Sequence, residues 1–202
     1  DGTLVDKNFD DALWFKEIPK LYAEKHNVSF EQALEKCKFE YDSLGDKNLN
    51  WYDVFFWFEK FALKKSPREV SRDLSHLIEL YSDAIPTLEY LTRNGFGLVV
   101  VSNASRHFLE LKVSLEKIDK YFSKMFSVTS DFKAVKKSED VYLKVCKELG
   151  VKPAELVHVG DHKEFDFNVP KKVGINAFYL DRKAKVPGEG VIASLSQLRD
   201  LF

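Results

Sequence analysis

Cysteine, methionine and net charge are what this sequence has least of. Its 202 residues hold two cysteines and one methionine, and its 31 basic residues almost balance 32 acidic ones, leaving a formal charge of -1. Cys37 and Cys146 are too far apart for a metal or redox spacing. Each lies among apolar residues at helical intervals, so both read as buried free thiols, which suits a reducing, cytosolic (cytoplasmic) compartment. The balanced charge excludes a whole-chain field that would gather nucleic acid or an anionic membrane, so neither is an expected partner. A small anionic ligand would have to be captured locally. No apolar run reaches the roughly 18 residues of a membrane span, and no basic start leads into a signal-type segment. What is there is a hydrophobic content of 45% with 14% aromatics, enough for one domain with a sizeable insertion.

The chain has two textures. Residues 8 to about 82 read as helices only: Ser29-Phe30-Glu31-Gln32 and Ser66-Pro67-Arg68-Glu69 are capping boxes, the second with Pro67 at the tolerated first helical position. From Asp83 onward helices alternate with short apolar runs. The expected order is a helix over 84–93 stopped at Asn94-Gly95, a strand over 98–101, a helix from about Ser105, and a strand near 125–129. A helix over 139–149 closed by Gly150 follows, then a strand over 156–159, a helix from about Phe165, a strand over 177–180 and a last helix ending at Leu201. Apolar strands alternating with helices predict an α/β fold with a Rossmann-like parallel sheet. Its ligands belong beyond the carboxyl ends of the strands.

Chemistry-bearing residues gather in those loops. Val99-Val100-Val101 leads into Ser102-Asn103; Lys133, Lys136 and Lys137 follow the next strand; Val159 leads into Gly160-Asp161, with Asp166 beyond. A hydroxyl beside backbone N–H groups, a lysine and two carboxylates can together hold a phosphoryl group and a hard cation. Taken singly each has a plain structural reading, Gly-Asp as a turn and Ser-Asn as a helix cap.

With Asp1-Gly2-Thr3-Leu4 at the head, followed by Val5-Asp6, the order of these pieces resembles the haloacid dehalogenase superfamily of phosphohydrolases, of the phosphoglycolate phosphatase-like kind. Asp1 to Leu4 is similar to the second half of the family's first motif, Asp-x-Asp-Gly-Thr-Leu. Val99 to Asn103 matches the second, and Val159-Gly160-Asp161 with Asp166 the fourth. The third, Lys-Pro-x-Pro-x-Ile-Phe, is similar to Lys136-Lys137-Ser138-Glu139-Asp140-Val141-Tyr142 with both prolines replaced. Lys136 is the expected motif lysine, with Lys133 and Lys137 as alternatives.

The resemblance implies a nucleophilic aspartate two residues ahead of Asp1, on a strand in the middle of the sheet, so an apolar strand and Asp-x are expected upstream. It implies hydrolysis of a small phosphate monoester through an aspartyl phosphate. Asp1 would be the general acid and then base, Gly2, Thr3, Ser102 and Asn103 would bind phosphoryl oxygens, and Lys136 would neutralise charge. Mg2+ would lie at Asp1, through its main-chain carbonyl, and Asp161, with Asp166 behind or acting through water. Asp1 also argues for a phosphate ester over a halide, because a halide leaves without a proton. A phosphosugar mutase and a non-catalytic binding module are the alternatives. The implied organisation is a core of residues 1–11 and 83–202 with a helical cap over 12–82. The aromatic stretch Trp51 to Phe61 reads as cap core or a homodimer face, with a specificity pocket as the third reading. Arg106 and His107 read as a solvated helix start.

Overall fold

In the structure, a computed structural model that describes residues 1–184 and 188–202, the chain forms two compact units. One comprises Asp1–Val5 and Leu80–Phe202, the other Asp6–Glu79. No helix among the described residues is long and apolar enough to cross a membrane.

The unit of Asp6–Glu79 is wholly helical. A short helix Asn8–Ala12 and a wider helical segment Leu13–Glu17 lead into helix Ile18–His26, and helices Phe30–Leu44, Val54–Lys60 and Pro67–Asp73 follow. Both capping boxes form: Ser29 and Ser66 each accept from the N–H three residues on, and Gln32 and Glu69 reach back. The unit's core mixes aliphatic side chains such as Leu13, Ile18 and Val70 with an aromatic group around Trp57. Trp57 is fully buried and donates its indole N–H to Trp51 O at 3.1 Å, while Tyr41 meets it edge to face with ring centroids 4.7 Å apart. Val54, Trp57, Phe58 and Phe61, spaced three and four apart, bury one helical face as internal packing, while Trp51 and Phe55 of the same stretch are exposed. Cys37 lies in the same core, and burial pushes its thiol up to about 12.

The other unit carries the sheet. Strands β1 (Leu98–Ser102) and β2 (Phe122–Ser127) pair in parallel, as do β3 (Val157–Gly160) with β4 (Asn176–Leu180) and β4 with β5 (Val191–Ile192). Among the described residues β1 and β3 are each paired on one side only. Helices Ala84–Arg93, Arg106–Leu115 and Glu139–Leu149 cover the strands. Leu4 and Leu80 pack against both the Leu180, Ile192, Leu195 cluster and the Leu88, Leu109, Val113 cluster. This ties the first residues of the chain to the sheet. An isolated antiparallel bridge, Val5 to Leu80, and the bond from Tyr81 N to Leu4 O at 2.9 Å do the same through the backbone.

Three expectations shift. The second strand spans Phe122–Ser127 rather than 125–129, because Ser127 turns the chain: its Oγ accepts from Ser130 N at 3.2 Å and its N–H donates to Asp131 at 2.8 Å, starting a helical turn at Val128–Asp131. The expected helix from Phe165 opens earlier, as a wide turn over Lys163–Asn168, because the His162 side chain accepts from Phe165 N. The last helix is a tight three-residue-per-turn run, Leu195–Asp200, opened by Ser194 and Gln197, and the two-residue β5 ahead of it carries too short a signal to read.

Candidate active site

Parallel strands aim their carboxyl ends at one edge, and the register brings Ser102 at the end of β1 opposite Ser127 at the end of β2. Ser102 Oγ accepts from Ala104 N at 3.1 Å, which turns the chain sharply before helix Arg106–Leu115. Asn103 donates to Val135 O at 3.5 Å, and its Oδ1 is a buried oxygen with no hydrogen-bond partner among the described residues.

The first and last motifs meet. Thr3 Oγ1 donates to Asp161 Oδ1 at 2.9 Å across 158 positions of sequence. Gly2 sits beside the same carboxylate with φ 77, closing a tight turn whose N–H reaches Val5 O at 2.7 Å. A Cβ on Gly2 would fall inside the Asp161 carboxyl group, so only glycine fits on both backbone and spatial grounds. Gly160 plays the same part for Asp166, whose side chain fills the space a Cβ would need.

Asp166 is 2% exposed. Its Oδ1 takes His158 Nε2 at 3.0 Å and pairs with Lys137, and its Oδ2 accepts from His162 N at 3.0 Å. Burial alone would raise this carboxyl, but the hydrogen bond from His158 and the charge of Lys137 outweigh it and hold the group well below the usual carboxylate range. Burial, with the charge of Lys137, pushes His158 down although its bond to Asp166 opposes this. An ionised Asp166 beside a neutral imidazole makes His158 Nε2 the proton donor.

The three lysines separate. Lys137 reaches Asp166 with its side chain 12% exposed, whereas Lys136 lies exposed with Nζ 5.7 Å from the Phe165 ring centre, and Lys133 is exposed at φ 52. Of the three, it is Lys137, one of the two alternatives to Lys136, that pairs with Asp166, because one residue of turn rotates a side chain from one face to another. Among the metal candidates, Asp161 faces Gly2 and Thr3, while both oxygens of Asp166 are engaged by protein donors. Among the described residues no group of three or more His, Cys, Asp or Glu forms a ready cage. Arg106 donates to Met125 O at 3.0 Å and pairs with Asp131, which makes it a brace between the first two strand ends.

Two residues escape the motif reading. Lys112 is buried and pairs with Asp1 Oδ1 at 2.5 Å. Its sequence signal is a lysine on the face made by Phe108, Leu109 and Val113, where helical spacing calls for an apolar residue. Arg182, two residues past β4, donates to Gly2 O at 3.3 Å and Thr3 O at 2.7 Å.

The haloacid dehalogenase-like hydrolase family model matches residues 1–180. The chain belongs to that family. A GMP/IMP nucleotidase of Escherichia coli, YrfG, is 28% identical over 168 residues, covering 80% of this chain and 71% of the relative. A (S)-2-haloacid dehalogenase of Burkholderia cepacia is 28% identical over 110 residues, 54% of this chain and 47% of that one. The solved structure of a haloacid dehalogenase-like phosphatase from Thermococcus onnurineus superposes with TM-score 0.86 at 28% identity, covering all of this chain and 94% of its own. The fold is thus that of the haloacid dehalogenase-like hydrolases, and the protein is a hydrolase whose relatives include a nucleotidase and a haloacid dehalogenase.

Proposed function

We propose that the protein hydrolyses a small phosphate monoester, with Mg2+, through an aspartyl phosphate. The observation that carries this reading is the meeting of Gly2-Thr3 with Asp161, which joins the two ends of the motif set around one carboxylate. In this reading the nucleophile is an aspartate two positions ahead of Asp1. Asp1 protonates the leaving alkoxide through its carboxyl and later takes a proton from water. Ser102 Oγ and the N–H groups of the Ser102-Asn103 turn hold phosphoryl oxygens, and Lys137 rather than Lys136 is the motif lysine, since it is the one paired with Asp166. Asp166 keeps Lys137 and the His162 peptide in register behind Asp161.

The donor chemistry fits Mg2+, which prefers hard oxygens and takes one or two carboxylates beside substrate phosphate and water. Asp161 and the main-chain carbonyl of Asp1 would hold it, where it would supply charge neutralisation for the phosphoryl oxygens. Unit Asp6–Glu79 is assigned as the helical cap. A phosphate ester is preferred to a halide because a departing alkoxide needs the proton of Asp1 and a departing halide needs none. The nucleotidase similarity supports a phosphorylated metabolite as substrate, and the two buried free cysteines support a reducing, cytosolic compartment.

The test is p-nitrophenyl phosphate hydrolysis by the full-length protein, with and without Mg2+, beside Asp1→Asn. Magnesium-dependent turnover that drops about 100-fold or more in the variant is expected. Turnover unchanged by Asp1→Asn would overturn the acid–base assignment, and release of halide from 2-chloropropionate without phosphatase activity would overturn the substrate class.

A further inference from the structure

The loop that carries Asp1 to Leu4 is held from behind by one side chain. Arg182 uses four of its five N–H groups: Nε to Gly2 O at 3.3 Å, Nη2 to Thr3 O at 2.7 Å, and Nη1 and Nη2 to the two oxygens of Asp83 at 2.9 and 3.0 Å. The guanidinium carbon stands 3.7 Å from the centre of the Tyr81 ring. Asp83 is pinned in turn, accepting from Ser194 Oγ at 2.7 Å and Leu195 N at 2.8 Å. The Arg182 and Asp83 side chains are 19% and 10% exposed, so the pair is largely removed from water.

This arrangement has a directional consequence. A trans peptide points its C=O and its N–H to opposite sides. Fixing Gly2 O and Thr3 O on the guanidinium therefore turns Thr3 N–H and Leu4 N–H away from it. Among the described residues neither N–H has a hydrogen-bond acceptor. They are two aligned donors on the loop that also bears Asp1 and the Thr3 hydroxyl. Neither a lysine, with one compact charge, nor a neutral residue can meet two carbonyls, a bidentate carboxylate and an aromatic face at once.

We propose that Arg182, locked by Asp83 and Tyr81, is a positioning residue that sets the peptide planes of the Asp1-Gly2-Thr3-Leu4 loop for phosphate binding and turnover. The proposal rests on the phosphatase reading for its catalytic half, while its binding half needs only a phosphate anion. Arg182 itself touches carbonyls and a carboxylate, not the substrate.

Arg182→Lys and Asp83→Asn in the full-length protein test it, with three readouts: thermal midpoint, p-nitrophenyl phosphate kinetics, and orthophosphate affinity by titration calorimetry. In Arg182→Lys, kcat should fall about 10- to 100-fold at a temperature where the variant is fully folded, because small misplacements of reacting groups carry penalties of that size. Orthophosphate affinity should weaken in parallel, and Asp83→Asn should give the same pattern more mildly. A folded Arg182→Lys that keeps kcat and phosphate affinity within twofold of wild type would overturn the proposal while leaving the phosphatase reading standing. Losses that only track the fraction unfolded would overturn it too, reducing Arg182 to a structural brace. If the wild type turns over no phosphate ester, the phosphatase reading falls, and the clamp is then judged by orthophosphate alone: weaker binding in Arg182→Lys supports it and equal binding overturns it.

Discussion

A single methyl group at Gly2 would remove the site, since it would occupy the volume of the Asp161 carboxyl and force a side chain into left-handed backbone at φ 77. Gly2→Ala should therefore cut p-nitrophenyl phosphate turnover by about 100-fold or more, with circular dichroism unchanged; a variant with wild-type kcat would mean the loop has room to yield. The lysines give a sharper contrast. Lys137→Met leaves the buried Asp166 without its cation and should cost about 3 kcal/mol or more in urea unfolding. Lys136→Met, at an exposed position, should stay within about 0.5 kcal/mol. The opposite ranking would restore the motif reading of Lys136. The choice among the three lysines is hard to read for a local reason: the prolines that would set the register are replaced by Lys137 and Glu139, and nothing in a run of lysines says which one turns inward. Arg182 and Lys112 were illegible for a different reason, because their partners lie 180 and 111 positions away. Gly2, Thr3, Ser102, Asn103, Asp161 and Asp166 were legible because each lies in a short motif whose turn chemistry is local.

Elements were legible wherever one local device set their ends. Ser29 and Ser66 open their helices through side-chain caps, Gly150 closes Glu139–Leu149 at φ 70, and the apolar runs of β1 and β3 stand where their composition puts them. The end of β2 was not legible, since Val128 and Thr129 favour a strand by propensity while Ser127 and Asp131 bend the chain by hydrogen bonds that sequence spacing only weakly announces. The same logic ranks two substitutions in the helical unit. Ser66→Ala removes a cap from a seven-residue helix and should cost about 1 kcal/mol. Trp57→Ala empties the middle of the aromatic core and should cost about 3–5 kcal/mol. Denaturant midpoints of the two variants check the order; a Trp57→Ala milder than Ser66→Ala would mean that the aromatic stretch is not the unit's core.

Over the whole molecule the charges nearly cancel, so acid stability is governed by where protons are refused, not by net charge. His158 is held below its ordinary range by burial and by Lys137, so the unfolded chain takes up that proton first, and stability must begin to fall as pH drops through about 6.5. Asp166 and Asp83 are also held below their ordinary ranges. Burial alone would raise both, but the hydrogen bond from His158 to Asp166 and those from Arg182, Ser194 and Leu195 to Asp83 outweigh it. Their contributions are complete above about pH 4 and are lost as pH falls further toward the folded values. Exposed carboxylates such as Glu69, Glu148 and Glu164, held down by hydrogen bonds from Ser66, Lys124 and Asn168, act in the same acid direction but are screened by solvent and salt. The expected curve is thus a shallow decline below about pH 6.5 that steepens below about pH 4. Urea midpoints measured from pH 8 to pH 3 would trace it. In Asp83→Asn the whole curve should be lower and its acid limb flatter, because the stability that Asp83 loses on protonation is already absent. A wild-type midpoint that stays level down to pH 4 would show that His158 is protonated in the folded state. The Asp166 carboxylate would then be holding an imidazolium, and the neutral donor assigned to that pair would have to be abandoned.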